Sequence, residues 1–129
     1  EGTRAREALE QRWSTPTLWD HFLRYLADEG HAVPEHQLGR DVTQPVEACE
    51  ELQQVLVELY RNDAKNTVLC ERLVDLDEGL QEWRYRHVKM VERTIGQKTG
   101  TGGSGGSAYL RTTLNSAVFP DLWVIRSQL

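Results

Sequence analysis

Apolar residues recur at helical spacing along much of this 129-residue chain. Between residues 18 and 26 they are separated by one, three or four positions, which places them on one face of a helix. The hydroxyl and proline residues at positions 14–16 are typical of a helix start. Gly30 is typical of a helix end. The pattern therefore predicts an amphipathic helix ahead of Gly30.

A second helix is predicted over residues 46–60, where leucines and valines fall on one side. The polar residues 61–63 are expected to break it. Residues 31–45 contain two prolines and a glycine, so they are predicted to connect the two helices with at most one short helical turn.

A third and longer helix is predicted because apolar positions alternate at spacings of four and three residues. The members of this stripe are Leu69, Leu73, Leu76, Leu80, Trp83, His87 and Met90, and Val91 and Ile95 continue it. After a glycine-rich stretch, residues 108–114 and 120–127 are predicted to form two shorter helices. No segment alternates with the period of a strand, so the predicted fold class is all-α, a single helical region over residues 1–129.

Composition narrows the function classes. The chain is 39% hydrophobic and carries a net charge of −5, which disfavours intrinsic disorder and a duplex nucleic-acid partner. Two cysteines are too few for a disulfide scaffold, and no apolar run approaches the roughly 20 residues that a membrane span needs. The first residues are charged and polar, unlike a secretory leader. We therefore expect a cytoplasmic protein with neither a nucleic-acid nor a membrane partner.

His87 is the histidine that lies on the apolar stripe. A buried imidazole without partners costs roughly 1–3 kcal/mol, so a hydrogen-bonded core histidine is one interpretation. A metal ligand is the other. A helical zinc pair is excluded because no His or Cys follows at the third or fourth position, whereas the axial ligand of a non-covalent haem needs no such neighbour. His21, His31 and His36 are predicted to face solvent.

Six of the ten glycines lie between residues 96 and 106. Residues 100–105 match the pattern G-x-G-x-x-G, but no strand is predicted before them, which excludes a dinucleotide-binding fingerprint. A Walker A loop is excluded because Lys98 precedes the glycines. Two interpretations remain: a flexible Gly/Ser linker, and an ordered loop in which backbone N–H groups and the Thr101 and Ser104 hydroxyls approach a small ligand.

Several segments together resemble the tryptophan 2,3-dioxygenase family. The most specific begins with Trp83-Arg84-Tyr85-Arg86-His87, extends to residue 96, and continues as Lys98-Thr99-Gly100-Thr101-Gly102-Gly103-Ser104. Residues 24–34, 73–76, 108–111 and 119–123 also match. The resemblance covers nearly the whole chain. It implies the helical haem-binding fold of the tryptophan/indoleamine dioxygenase type and makes residues 96–107 an active-site loop.

The resemblance also implies roles for individual residues. His87 falls on the proximal ligand of the haem iron, with haem b as the cofactor. The positions implied to bind substrate, in a loop that closes over it, are Thr101, Gly102, Gly103 and Ser104. Trp83, one turn before His87, is our own candidate for orienting the imidazole, with plain core packing as the alternative. The implied reaction is cleavage of the indole C2–C3 bond of L-tryptophan by dioxygen to N-formylkynurenine, the first step of the kynurenine pathway.

Two departures from the family pattern matter. Gly105 stands where the family has a serine, which leaves open a related haem monooxygenase acting on a modified tryptophan. The N-terminal half of the family, which supplies the residues on the distal side of the haem, is missing, so no catalytic residue is assigned in this chain. The resemblance implies a C-terminal portion that acts with that N-terminal portion in a homotetramer. A non-catalytic helical assembly module is the alternative from another class.

Overall fold

The computed structural model describes residues 2–96, 111–112, 114 and 116–129. These residues form helices and turns with no strand among them, which confirms the all-α prediction. The chain divides into two compact units, Glu1–Thr67 with Pro120–Leu129, and Val68–Phe119. The single helical region over residues 1–129 stays a prediction. Across the described residues, no helix combines the length and apolar character needed to cross a membrane.

The helices follow one another in the order α1 to α6. Their bounds are α1 Gly2–Trp13, α2 Leu18–Asp28, α3 Glu35–Leu38, α4 Glu50–Asn62, α5 Ala64–Ile95 and α6 Pro120–Val124, and a 3-10 turn, Ile125–Gln128, follows α6. Helix α5 begins in the first unit and continues through the second. The helix predicted over residues 108–114 lies mostly outside the described residues.

Helix α2 provides much of the core of the first unit, as predicted, but it begins later than residues 14–16. The Thr17 hydroxyl accepts the Asp20 N–H at 3.4 Å, and the Asp20 carboxylate accepts the Thr17 N–H at 2.8 Å. This capping box satisfies backbone donors at both positions and sets the start at Leu18. The buried side chains of α2 are Trp19, Phe22, Leu23 and Leu26. Gly30 follows the helix end with φ +99°, a conformation that favours glycine.

Helix α1 was not predicted, because none of its side chains is buried and its sequence has no continuous apolar face. Alanine, leucine, arginine, glutamate and glutamine dominate it, and these residues have high intrinsic helix propensity. The hydroxyl of Ser14 closes its end by donating to the carbonyl of Glu10 at 2.9 Å.

Helix α4 begins at Glu50 and not at residue 46. The backbone of Cys49 is extended, and its N–H donates to Oδ1 of the buried Asp121 at 2.8 Å. That long-range bond holds Cys49 in an extended conformation, so the helix begins only at Glu50. Asp63 separates α4 from α5, so a break falls within the predicted residues 61–63, but Arg61 and Asn62 still belong to α4.

His31 corrects one solvent-exposure prediction. Its ring is half-buried, and Nε2 lies 2.9 Å from Oδ2 of Asp63. This hydrogen bond, together with those from the backbone and side chain of Asn66, lowers the pKa of Asp63 to about 2. His21 and His36 are exposed, as predicted.

Candidate functional site

The apolar stripe of α5 forms a largely exposed helix face, which the described residues of the chain do not use as a core. Trp83 is 61% exposed, Met90 56% and Leu76 46%, and Leu80 is also exposed. Leu73 is buried, at the edge of the stripe. Spacing alone placed these residues on one face but did not show whether that face is covered.

His87 lies in the middle of this exposed face and is half-buried. The indole of Trp83 stacks on its imidazole, with ring centroids 5.0 Å apart and planes 5° from parallel. The four-residue spacing on a helix brings the two rings together. Trp83 therefore shields one side of the imidazole and restricts the rotation of the ring.

The covered face of α5 lies about a third of a turn away, and a buried carboxylate holds it. Asp77 accepts the Val118 N–H at 2.9 Å and 3.0 Å and the Phe119 N–H at 2.8 Å. Both Asp77 and Phe119 are buried. Bonds from backbone N–H groups compensate much of the desolvation of a carboxylate. Asp77 thus fixes residues 118–119 against α5.

Two further side chains of α5 contact the segment that returns after the glycine-rich stretch. The Arg84 guanidinium donates to the carbonyl of Ser116, and Glu92 forms an ion pair with Arg111. Together with Asp77, these contacts show that the described residues between 111 and 119 run antiparallel to α5. Val88, between Arg84 and Glu92, is buried.

The predicted substrate-binding positions Thr101, Gly102, Gly103 and Ser104 lie outside the described residues. Most of the predicted active-site loop, residues 96–107, lies outside them as well, with Gly96 as its described member. Among the predicted site residues, the structure places His87 and Trp83 together.

Comparison with known proteins decides the family. The family model of tryptophan 2,3-dioxygenase matches residues 51–129. The tryptophan 2,3-dioxygenase of Herpetosiphon aurantiacus is 58% identical over 125 residues, which cover 97% of this chain and 48% of that protein. The chain belongs to the tryptophan 2,3-dioxygenase family. The predicted family resemblance is therefore confirmed.

Two further tryptophan 2,3-dioxygenases match this chain over a similar length. The protein of Anaeromyxobacter sp. strain K is 56% identical over 118 residues, covering 90% of this chain and 43% of that protein. The protein of Bordetella pertussis is 42% identical over 120 residues, covering 91% and 42%. The chain thus spans about half the length of the curated dioxygenases it matches.

The residues around His87 fit the haem that a tryptophan 2,3-dioxygenase is expected to bind. The porphyrin itself supplies four ligands of the haem iron. A single imidazole in apolar surroundings would therefore be enough for the protein to hold the iron. His87 offers that imidazole on an exposed apolar face, and Trp83 holds it from one side. Within the described part of the chain, no three His, Cys, Asp or Glu side chains come together as a metal cage.

Sequence reasoning missed the two buried carboxylates that anchor the C-terminal segment, Asp77 and Asp121. Burial raises the pKa of Asp121, while the bonds from the Cys49 N–H and the Gln53 amide act to lower it. A signal for Asp77 was present, because this acidic residue continues the row of Cys70, Leu73 and Val74. A charged residue in a buried row needs a hydrogen-bonding partner, because an unpaired buried charge is costly.

Proposed function

We propose that this chain forms the proximal side of a haem-dependent tryptophan 2,3-dioxygenase, with His87 as the axial ligand of the iron. The observation that carries the proposal is the half-buried imidazole stacked on Trp83 at the centre of an exposed apolar face. Membership of the tryptophan 2,3-dioxygenase family supports it.

In this proposal, four described residues of the exposed face contact the haem or orient its ligand: His87, Trp83, Leu80 and Met90. A ring nitrogen of His87 would hold the haem iron. Trp83 holds the plane of that imidazole by stacking and excludes water from one side of it. Leu80 and Met90 provide apolar surface on either side of His87 along the helix. A flat macrocycle with hydrophobic faces is stabilised by such a surface.

The substrates of the proposed reaction are L-tryptophan and dioxygen, and its product is N-formylkynurenine. The family resemblance assigns substrate contacts to Thr101, Gly102, Gly103 and Ser104. Haem b, when bound, supplies the oxygen chemistry, and the chain contributes binding and orientation. This reaction cleaves the indole C2–C3 bond.

The proposal includes a larger assembly. The chain acts with an N-terminal portion that supplies the distal residues, because the curated dioxygenases are about twice as long. Homotetramer formation follows from the family resemblance, and light scattering of the full-length protein measures it. Both cysteines are free thiols, which supports a reducing, cytoplasmic location.

A haem titration of the full-length protein tests the ligand. We expect His87→Ala to abolish the absorption spectrum of histidine-ligated haem, and added imidazole to restore it. His21→Ala is the matched control, because His21 is exposed on another helix. A His87→Ala spectrum identical to that of the wild type contradicts the assignment.

Product analysis with isotopically labelled dioxygen tests the reaction. A dioxygenase places both oxygen atoms in N-formylkynurenine, whereas a monooxygenase transfers one. A singly labelled product would favour the monooxygenase alternative that Gly105 leaves open. A protein that binds haem through His87 but forms no product would favour an assembly role for this chain.

A further inference from the structure

We propose that Arg86 and Arg93 bind the two propionate carboxylates of the haem held by His87. The inference rests on the proposed function, because it requires a haem at that histidine. It assigns protein contacts to the anionic edge of the cofactor, in addition to the iron ligand His87. Three observations carry it: local charge, the covering of one flank of His87, and a cationic cavity on the other flank.

The charge around His87 is opposite to that of the chain. The described residues 82–95 contain four Arg or Lys (Arg84, Arg86, Lys89 and Arg93) and two acidic residues (Glu82 and Glu92), although the whole chain carries a net charge of −5. Glu92 is already paired with Arg111 and Lys89. The remaining positive charge favours an anionic ligand at this end of α5.

One flank of His87 is covered. A helix advances about 100° per residue, so Asp77, Arg84 and Glu92 all lie on the same side of His87, within roughly half a turn. The contacts of these three residues with Arg111, Ser116 and Val118 cover that side. A ligand centred on His87 therefore has the opposite flank available for its polar groups.

The opposite flank carries Arg86 and Arg93, both exposed. On a helix they lie about a quarter to a third of a turn from His87, about 10 Å apart along the axis. They line a cavity of about 440 Å³ whose other lining residues are Tyr85, Lys89, Met90 and Thr94. Among the described residues, no carboxylate lies within ion-pair distance of either guanidinium.

Two arginines suit two carboxylates. A guanidinium presents a planar fork of N–H donors that matches a carboxylate, and such charge-assisted bonds are stronger than neutral ones. Met90 lies between the two arginines in the same cavity and offers apolar contact to the macrocycle. Lys89 is less suited, because its Nζ lies 3.3 Å from Glu92 and 5.7 Å from the Tyr85 ring centroid.

The test compares haem with haem dimethyl ester, in which both propionates are esterified and uncharged. Each is titrated into the full-length protein as wild type and as the double variant Arg86→Gln/Arg93→Gln. We expect the double variant to raise the Kd of haem about tenfold or more. The Kd of the ester should change less than twofold, and its binding shows that the variant is folded.

Arg72→Gln is the matched control, because Arg72 is exposed on the same helix and paired with Asp75. It should leave both affinities unchanged. Equal weakening of haem and ester, or no weakening of haem, overturns the assignment of Arg86 and Arg93. Failure of the proposed function looks different: wild type and His87→Ala would then share one spectrum with either porphyrin.

Discussion

Two faces of the same helix, α5, behave in opposite ways. The face with Asp77, Arg84 and Val88 is covered by the returning C-terminal segment, although two of these three side chains are charged. The face with Trp83 and Met90 is apolar but exposed. Hydrophobic patterning thus identified an exposed face, and most buried side chains of the described residues lie elsewhere.

The covered face shows how charged side chains can be packed against another segment of the chain. Each charged group on it has a specific partner: backbone N–H groups for Asp77, a carbonyl for Arg84 and a guanidinium for Glu92. Satisfied polar groups hold the segment in one register, which apolar contacts alone specify less sharply. In the function proposed above, the exposed face would need no such partners, because a porphyrin presents mainly apolar surface.

The largest expected effect is on the covered face. Asp77→Ala leaves the N–H groups of Val118 and Phe119 without their acceptor. We expect the free energy of unfolding of the chain to fall by about 3–5 kcal/mol, because buried donors lose a charged partner. Urea unfolding measures it. Asp75→Ala, an exposed carboxylate on the same helix, should cost about 0.5 kcal/mol or less. Equal losses would contradict the anchoring role of Asp77.

The start of helix α5, ahead of both faces, should be sensitive to acid. The carboxylate of Asp63 caps α5 by accepting the Asn66 N–H at 3.1 Å, and it also bonds His31. Its pKa is lowered to about 2 from an ordinary value of 3.8. The stability that it contributes is therefore complete above pH 4 and lost as the pH falls towards 2.

Asp63→Asn should flatten that acid limb. Urea unfolding midpoints between pH 5 and pH 2.5 should fall more steeply for the wild type than for the variant. Asp75→Asn, which alters an exposed carboxylate paired with Arg72 on the same helix, is a control for general acid effects. Parallel slopes for wild type and Asp63→Asn would contradict the role of Asp63.

Sequence sufficed where the determinant is local. The all-α class, the break at Asp63 and the glycine after α2 follow from spacing and capping. The start of α4 was predicted wrongly because it depends on a hydrogen bond from Cys49 to Asp121, 72 residues away in sequence. The start of α5 depends on a local cap, in which Asp63 accepts the Asn66 N–H. The covered row of α5 was missed because its partners lie between 19 and 42 residues away in sequence. Helical spacing also placed His87 and Trp83 one turn apart on the same face, whereas the ligand role of His87 came from the family resemblance and stays a prediction.

The smallest expected effect is on the exposed face. Leu76→Gln and Leu80→Gln replace side chains that are already exposed. We expect each to change the free energy of unfolding of the 129-residue chain by about 0.5 kcal/mol or less, since little burial is lost. Leu73→Ala is the matched comparison on the same stripe: it is buried, and its loss should cost about 2–4 kcal/mol. A loss for Leu80→Gln as large as that for Leu73→Ala would mean that the chain itself covers this stripe, and the surface assigned to haem would then be part of its core.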